Sequence, residues 1–310
     1  MKIDDSIQFN NDKKLIHFLN IENLSSEHIF EILELADTIK PKSLNGKTVA
    51  SLFFEPSTRT KTTFELASKR LGADFINIDI ANSSTSKGES ILDMIKTLEA
   101  MQCNMFIVRH STSGIPHYIA KEVGDKISVI NAGDGTNAHP TQAMLDMYTI
   151  KKYKGEFKTL NVAIVGDILH SRVAKSLIAS LSILKVRNIN VIGPNILMPK
   201  NIGQLNVTYF SSLEQGINNV DVIIMLRLQK ERMNEALIST DDYYEEFGLT
   251  KNKIKNAKKD VIVMHPGPIN RGIEIDSDVA DGPNSVILDQ VSAGISIRMA
   301  IMSLILKNKN

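Results

Sequence analysis

The sequence predicts an α/β protein with two doubly wound domains, each built on a mainly parallel sheet flanked by helices. Three observations predict this class. Short apolar runs rich in β-branched residues alternate with stretches of helical spacing along the chain. The runs are apolar throughout, which is typical of strands that a parallel sheet buries on both faces. At 310 residues the chain also exceeds the usual size of a single core.

Eight segments carry the strand pattern. They are residues 47–54, 74–78, 103–109, 128–132, 161–167, 188–194, 221–227 and 260–267. The segments between them have helical spacing. In residues 60–72, for example, Phe64, Ala67 and Leu71 fall on one stripe and Gly72 supplies a stop signal. Alternation of this kind predicts βα units in both halves of the chain.

The predicted domain boundary lies in a polar, lysine-rich stretch around Gly155. Residues 1–150 form the first predicted domain and residues 151–290 the second. The last segment, residues 291–310, has helical spacing at Val291, Ile295, Met299 and Met302. Spacing alone fits either domain, and we expect this helix to pack back on the first.

Composition and charge exclude several classes of partner. The chain has 36 Lys and Arg against 35 Asp and Glu, a net charge of +1, so no global field attracts nucleic acid or an anionic membrane. No run of about 18 apolar residues predicts a membrane span, and the acidic N-terminal region is unlike a signal peptide. A cytoplasmic location is expected. The one cysteine, Cys103, cannot form an intrachain disulfide or a thiolate metal cluster, and we expect it to be a packed core residue.

Gly166, after the strand of residues 161–167, suggests a dinucleotide fold, but the motif is incomplete. The fingerprint needs three glycines in the pattern G-x-G-x-x-G, and here Asp167, Ile168 and Leu169 follow Gly166 directly. A phosphate-binding P-loop is also missing from the sequence. The sequence therefore disfavours nucleotide binding.

The stretch FFEPSTRTKTTFE, residues 53–65, places hydroxyls and cations where a strand runs into a helix. The first turn of a helix has unpaired N–H groups and the positive end of the dipole, so it favours an anion. Ser57, Thr58 and Thr60 add hydroxyl donors, and Arg59 adds a guanidinium that matches phosphate oxygens. One interpretation is a phosphate site made without glycine. The alternative is an ordinary helix cap beside a solvated arginine.

Five other predicted strands end in polar residues. Arg109 and His110 follow one strand and His139 a second; HSR, LRLQKER and HPGPINRG follow three more. Open α/β sheets build their sites at the carboxyl ends of strands. Each cluster alone is typical of solvated surface cations or a turn histidine, whereas the agreement of all five predicts a functional site.

These motifs, in this order, resemble the catalytic chain of the aspartate carbamoyltransferase family. The resemblance rests on FFEPSTRTKTTFE, SKGES, HPTQAMLD, VGDILHSRV, LRLQKER and MHPGPINRGIEI, and it spans about residues 47–275. STRT and HPTQ are shared by carbamoyltransferases in general, whereas the last two motifs are narrower and favour aspartate. Relatives that act on ornithine have a cysteine in an HCLP motif, where this chain has His265-Pro266-Gly267-Pro268.

The resemblance implies transfer of the carbamoyl group of carbamoyl phosphate to the α-amine of L-aspartate, in pyrimidine biosynthesis, without metal or organic cofactor. It implies catalytic roles for Arg59, Thr60, Arg109, His139 and Lys87. The residues implied to bind carbamoyl phosphate are Ser57, Thr58, Arg59, Thr60, Arg109, His139, Gln142, Pro266, Gly267, Pro268 and Ser84. Thr60, Arg109 and His139 would act on the carbonyl oxygen, while Gln142 and the carbonyls of Pro266 and Gly267 would accept from the carbamoyl NH₂.

The resemblance implies that Lys87, Arg172, Arg227 and Gln229 bind aspartate. Glu55, Arg172 and Arg232 match positions that hold the two domains together when closed. In the family, a lysine and a serine of the loop NSSTSKGES reach a neighbouring subunit's site, which implies a homotrimer with shared sites; Ser84 is the first choice and Ser83 the second. Regulatory or dihydroorotase-like chains are further possible partners.

Alternatives remain open at this level. Another amine could be the acceptor, although an arginine at position 227 suits a second carboxylate and not an ammonium group. A non-catalytic scaffold is the second alternative, which the full set of polar residues disfavours. His139 could be a proton acceptor or only a hydrogen-bond donor, and the departing phosphate is an alternative acceptor.

Overall fold

The computed structural model describes residues 5–80, 88–229 and 239–309. In these ranges the strands are β1 Thr48–Phe53, β2 Asp74–Ile78, β3 Met105–His110, β4 Ser128–Asp134, β5 Asn161–Val165, β6 Asn188–Ile192, β7 Thr208–Phe210, β8 Val222–Met225 and β9 Ile262–Met264. The helices are α1 Ser26–Thr38, α2 Thr58–Arg70, α3 Ile91–Ala100, α4 Ile115–Val123, α5 Pro140–Lys154, α6 Arg172–Ile183, α7 Leu213–Gly216, α8 Thr240–Phe247, α9 Ser277–Ala280 and α10 Ile287–Lys307.

The chain divides into two compact units. The first contains residues 1–144 and 293–310, and the second contains residues 145–292. The dividing points fall inside α5 and α10. The functional domain boundary near residue 151 stays a prediction.

The first unit is built on a four-stranded sheet in the order β2-β1-β3-β4, with every neighbouring pair parallel. The chain leaves β1 for β2 on one side and then crosses to β3 on the other. The order therefore reverses between β1 and β3, and at such a reversal the two following loops separate and open a crevice. All seven residues of β4 are buried, as expected for an apolar strand covered on both faces.

The second unit is built on a five-stranded parallel sheet in the order β7-β6-β5-β8-β9. Here the order reverses between β5 and β8. Both sheets are parallel and flanked by helices, so the predicted α/β class with two doubly wound parallel sheets is confirmed. The edge strands β2 and β7 are less buried than the strands between them. One strand was not predicted: β7 is a three-residue edge strand, TYF, and too short for its periodicity to be visible in the sequence.

The helix predicted from the stripe in residues 60–72 is confirmed as α2. Phe64, Ala67 and Leu71 are fully buried, while Lys69 pairs with Glu65 on the outer face at 2.6 Å. Gly72 follows the helix with φ +75°, a left-handed conformation that favours glycine at this position. The predicted packing of Cys103 is also confirmed, since only 4% of it is exposed.

Most of residues 291–310, the segment with helical spacing, lies in α10, which begins earlier, at Ile287. Of its spaced residues, Met299 and Met302 are buried and Val291 is 38% exposed. Helix α10 is long and apolar enough to cross a membrane, and 56% of its apolar window is buried within the protein. The guanidinium of Arg298 stacks over the Phe64 ring at 4.9 Å, and 3% of this arginine is exposed. These are the features of a core helix.

Candidate active site

Three strand ends of the first sheet bring predicted residues to one edge. Strands β1, β3 and β4 are parallel neighbours, with Phe53 beside Arg109 and His110 beside Asp134. Because they are parallel, their carboxyl ends lie at the same edge of the sheet. The start of α2 follows β1, and the segment leading to His139 follows β4. The reversal of strand order between β1 and β3 thus lies next to the stretch of residues 53–65.

The N-terminus of α2 has no side-chain cap. Ser57 occupies the N-cap position in an extended conformation, yet its side chain makes no capping hydrogen bond, and the first turn contains no acidic residue. The first turn carries Arg59 instead, which is exposed. A cation at this end of a helix opposes the dipole. An uncapped first turn without acids suits a bound anion.

Thr60 is the buried member of the STRT segment, with 8% of its surface exposed. Thr58 is exposed and Ser57 is half-buried. The three hydroxyl residues thus range from exposed to buried at one helix end.

Arg109, the last but one residue of β3, is held by groups of the first unit. Its Nε lies 2.8 Å from Oε1 of Glu55, and its Nη1 donates to the carbonyl of Ala132 at 3.4 Å. The resemblance assigns Glu55 to domain closure, and here Glu55 is paired with Arg109. This pairing holds the guanidinium at the strand end. The Glu55 carboxylate lies beside Arg109, where the negative charge of a phosphate bound by Arg109 would lie.

His110 follows Arg109 and is held in one orientation. Its ring packs against Phe54 with centroids 4.8 Å apart, and its Nδ1 accepts a hydrogen bond from the backbone N–H of Thr112 at 2.8 Å. Burial lowers the pKa of His110, although Glu55 and Asp134 act in the opposite direction. The ring is thus a neutral neighbour of the Arg109 charge at neutral pH.

His139 and Gln142 lie at the start of α5. The His139 carbonyl accepts hydrogen bonds from the N–H groups of Gln142 and Ala143 at 3.1 and 3.2 Å, and Pro140 is the first residue of the helix, a favoured position for proline. His139 is 5% exposed and Gln142 8%. The HPTQ motif therefore builds a helix start that fixes two buried polar side chains.

In the second unit, the β5 end carries the next predicted residue, Arg172. Ser171 caps α6, accepting from the Ala174 N–H, and Arg172 begins the helix with only 4% of its surface exposed. Just before it, the Asp167 carboxylate accepts from the backbone N–H of His170 and lies 3.0 Å from its Nδ1. The turn that precedes Arg172 is thus held by its own hydrogen bonds.

Gly166 is explained by its own neighbours. Its φ is +131°, and a Cβ at this position would stand 2.8 Å from the carbonyl oxygen of Leu226 and 3.3 Å from the Tyr243 hydroxyl. A glycine is required so that the β8 end can approach the β5 end. This close approach gives the glycine a structural role that needs no nucleotide.

Arg227 and Gln229 follow β8, on the other side of the second order reversal. Both are half-buried, and the Gln229 amide donates to the Arg227 carbonyl at 3.4 Å. Because β5 and β8 are parallel neighbours, Arg172 and Arg227 both follow strand ends at one edge of the second sheet. Two guanidinium groups at one edge suit a ligand with two carboxylates.

The segment after β9 supplies backbone carbonyls. Pro266 and Gly267 are half-buried and Pro268 is exposed; Gly267 has φ +65°, and the bond from it to Pro268 is cis. The Gly267 N–H donates to Nδ1 of the buried His265 at 2.7 Å. A backbone held in this way presents acceptors and no charge, as an amide NH₂ group requires.

Four predicted residues lie outside the described part of the chain: Lys87, Ser84 with its alternative Ser83, and Arg232. The structure also brings in groups that motif reasoning did not single out, namely Asp167, Tyr243 and Glu274. Burial, with the carboxylates of Glu274 and Asp167, raises the pKa of the Tyr243 hydroxyl. Glu274 lies within the quoted motif HPGPINRGIEI, whereas nothing local in the sequence marks Tyr243.

Two family profiles match consecutive parts of the chain. The carbamoyl-phosphate-binding domain of the aspartate/ornithine carbamoyltransferases matches residues 16–152. Their aspartate/ornithine-binding domain matches residues 158–305. Together the two profiles cover most of the chain.

Solved structures agree with the profiles. The catalytic subunit of aspartate transcarbamoylase from M. jannaschii is 32% identical, with a TM-score of 0.81, covering 94% of this chain and 98% of that one. Aspartate transcarbamoylase from Trypanosoma cruzi in complex with carbamoyl phosphate is 28% identical, with a TM-score of 0.84, over 96% and 98% of the two chains. The same enzyme with N-(phosphonacetyl)-L-aspartic acid is 27% identical, with a TM-score of 0.83, over 96% and 98%. The chain belongs to the aspartate/ornithine carbamoyltransferase family.

Proposed function

We propose that the protein transfers the carbamoyl group of carbamoyl phosphate to the α-amine of L-aspartate, giving N-carbamoyl-L-aspartate and phosphate, a step of pyrimidine biosynthesis. The observation that carries the proposal is the start of α2, where an uncapped Ser57 and the cation Arg59 occupy a first turn without acids. The similar T. cruzi enzyme has been solved with carbamoyl phosphate and aspartate bound.

The first unit supplies groups for the phosphate and for the reacting carbonyl. Ser57, Thr58, Arg59 and Thr60 hold the phosphate with the N–H groups of the first turn. Arg109, released from Glu55, joins them. Thr60, Arg109 and His139 donate to the carbonyl oxygen, where negative charge develops as the amine attacks.

The second unit supplies groups for the acceptor and for the carbamoyl amino group. Arg172 pairs with the α-carboxylate of aspartate, and Arg227, with Gln229 beside it, pairs with the β-carboxylate. The carbonyls of Pro266 and Gly267 accept from the carbamoyl NH₂, together with Gln142 of α5. Two cations for two carboxylates favour aspartate over ornithine, whose side chain ends in an ammonium group.

The attack needs the α-amine of aspartate in its neutral form. As the amine attacks, the C–N bond forms while the C–O bond to phosphate breaks, and the amine loses a proton. Phosphate is a good leaving group, and once released it is a base close to the attacking nitrogen. His139 is the alternative acceptor, or it serves only as a donor to the carbonyl oxygen.

Four wider proposals follow from the resemblance. They are a homotrimer in which Lys87 and Ser84 or Ser83 complete a neighbour's site, a cytoplasmic location, regulatory or dihydroorotase-like partner chains, and domain closure through Glu55, Arg172 and Arg232. The test of shared sites is subunit exchange between Arg109→Ala and Lys87→Ala trimers. Recovery of activity in the mixed trimer supports sharing, and no recovery in a verified mixture contradicts it.

The reaction itself is tested by phosphate release from carbamoyl phosphate with different amines. Aspartate should support turnover, whereas ornithine, putrescine and N-acetylornithine should not. Product identity is checked by mass spectrometry, because carbamoyl phosphate also releases phosphate by hydrolysis. Turnover with ornithine but not with aspartate would contradict the assignment of aspartate as the acceptor. No turnover with any amine would favour the alternative of a non-catalytic scaffold.

A further inference from the structure

A buried polar cluster is bonded to the segment of residues 266–268. Its members are His265 at the end of β9, Glu274 further along the same segment, and Gln290 on α10. His265 and Gln290 are each 2% exposed, and Glu274 is completely buried. Burying ionisable side chains away from water is costly unless their hydrogen bonds are satisfied. We therefore ask which groups of the protein these three buried side chains bind.

The bonds of the His265 ring define its tautomer. Nδ1 accepts from the Gly267 N–H at 2.7 Å, so this nitrogen carries no proton. The proton is on Nε2, which lies 3.1 Å from Oε1 of Glu274 and donates to it. The ring is thus a neutral bridge between a backbone N–H on one side and a carboxylate on the other.

The other two members anchor the backbone on both sides of this bridge. Oε1 of Glu274 also accepts from the Asn270 N–H at 2.6 Å. Oε1 of Gln290 accepts from the His265 N–H at 3.0 Å, and the Gln290 amide donates to Asp146 at 2.6 Å. The N–H groups of residues 265, 267 and 270 are therefore all bonded to buried side chains.

We propose that His265, with Glu274 and Gln290, positions the carbonyl groups of Pro266 and Gly267 and so sets how well the enzyme distinguishes the amino group of its donor from a methyl group. The proposal rests on the proposed function, in which these two carbonyls accept from the carbamoyl NH₂. His265 is a positioning residue, because its own side chain bonds protein groups and not the ligand.

A backbone carbonyl is oriented differently from a side-chain acceptor. A side-chain acceptor finds its partner by rotating, whereas a carbonyl can move only with its peptide plane. Pro266 and Pro268 have no N–H groups, so the Gly267 N–H is the only amide donor within residues 266–268. His265 binds that one donor, which lies in the same peptide plane as the Pro266 carbonyl. Losing the bond frees that plane directly. It also loosens the adjoining Gly267–Pro268 plane, which carries the Gly267 carbonyl and has no N–H of its own to anchor it.

Two substitutions at His265 separate the two sides of the ring. His265→Asn places an amide oxygen near the Nδ1 position and keeps an acceptor for Gly267. His265→Gln places its amide near the Nε2 position and removes that acceptor. Each variant is assayed for the inhibition constants of acetyl phosphate and inorganic phosphate and for the KM of carbamoyl phosphate. Acetyl phosphate carries a methyl group in place of the amino group, so its affinity relative to carbamoyl phosphate reports recognition of that group.

We expect His265→Gln to lower the preference for carbamoyl over acetyl phosphate about tenfold, the effect of roughly one lost hydrogen bond. His265→Asn should stay within about threefold of wild type, and inorganic phosphate should bind all forms equally, because α2 holds it. Equal loss of phosphate and carbamoyl phosphate affinity in His265→Gln would overturn the proposal, since it would show general damage. A wild-type preference in both variants would overturn it as well.

Glu274 provides a second position in case the His265 variants fold poorly. Glu274→Gln keeps an oxygen acceptor for His265 and Asn270, whereas Glu274→Met has similar size and no such acceptor. The methionine variant should lose the donor preference and the glutamine variant should keep it; equal preferences in two folded variants would overturn the proposal. If the wild-type protein shows neither turnover nor a preference for carbamoyl phosphate, the proposed function is wrong. If the wild-type protein shows both and the variants keep the same preference, only the positioning role is wrong.

Discussion

The starts of α2 and α6 look alike in sequence and differ in structure. Both have a serine at the N-cap, an arginine in the first turn and no acidic residue there. Ser171 caps its helix and Arg172 is buried, whereas Ser57 makes no capping bond and Arg59 is exposed. Helix α6 is thus capped by its own serine, whereas the first turn of α2 has no side-chain cap and suits a bound anion.

The largest expected effect comes from removing the cation at the α2 start. Arg59→Ala should lower kcat/KM for carbamoyl phosphate about 10³-fold, because a charge-assisted contact to the phosphate and to developing charge is lost. Steady-state kinetics and phosphate titration measure this. Arg70→Ala at the other end of the same helix is the matched control and should leave phosphate affinity unchanged. Equal losses in the two variants would place the phosphate elsewhere.

Next in size is the cation that follows β8. Arg227→Ala should lower kcat/KM for aspartate about 10²-fold, mainly through KM, since a carboxylate loses its bidentate partner. The affinity for inorganic phosphate should not change. Arg187→Ala, an exposed arginine of the same unit, should leave aspartate kinetics intact. Wild-type aspartate kinetics in Arg227→Ala would refute the assignment of this residue to the acceptor.

An acidic residue in the first turn of α2 should stabilise this helix and weaken phosphate binding. Thr58→Asp supplies the negative charge that the dipole favours, so the unliganded protein should gain about 0.5 kcal/mol of stability. The same charge repels phosphate, and its dissociation constant should rise about 30-fold. Thermal unfolding with and without phosphate measures both effects. Unchanged phosphate affinity would contradict an anion site at this helix end.

The smallest effects separate the two serines. Ser171→Ala removes a cap and should cost about 1 kcal/mol of unfolding free energy. Ser57→Ala removes a hydroxyl that does not cap, so stability should be unchanged while KM for carbamoyl phosphate rises about fivefold. Calorimetry and kinetics on the same preparations give the comparison. A destabilised Ser57→Ala protein with normal KM would mean that Ser57 only stabilises its helix.

The sequence predicted much of the fold because the periodicity of buried elements is a local property. Eight of the nine described strands lie within or close to segments chosen from apolar runs, and β7 escaped because three residues carry no period. The stripe of α2 held for Phe64, Ala67 and Leu71, all of which are buried. Along α10, Met299 and Met302 are buried whereas Val291 is 38% exposed, because helical spacing shows which residues share a face and not how far along the helix that face stays covered.

Polar partners were harder to predict. The motif HPGPINRGIEI marks His265 and Glu274 as polar residues near a strand end, but their bond depends on how the segment folds back after Pro268. Tyr243 lies far along the chain from Asp167 and Gly166, and only the packing of α8 in the core of the second unit brings its hydroxyl close to them. Glu55 was assigned through the family resemblance, and its pairing with Arg109 became visible only in the folded chain.

Local patterns in the sequence were enough to predict the α/β class, the apolar stripe of α2 and the residue types at the strand ends. The folded chain was needed to show which serine caps its helix, which arginine is buried, and which side chains hold the Pro266 and Gly267 backbone. The difference lies in the distance along the chain over which each effect acts. Apolar periodicity and helix-start chemistry act between residues a few positions apart, whereas burial and hydrogen-bond partners depend on segments that only the two sheets bring together.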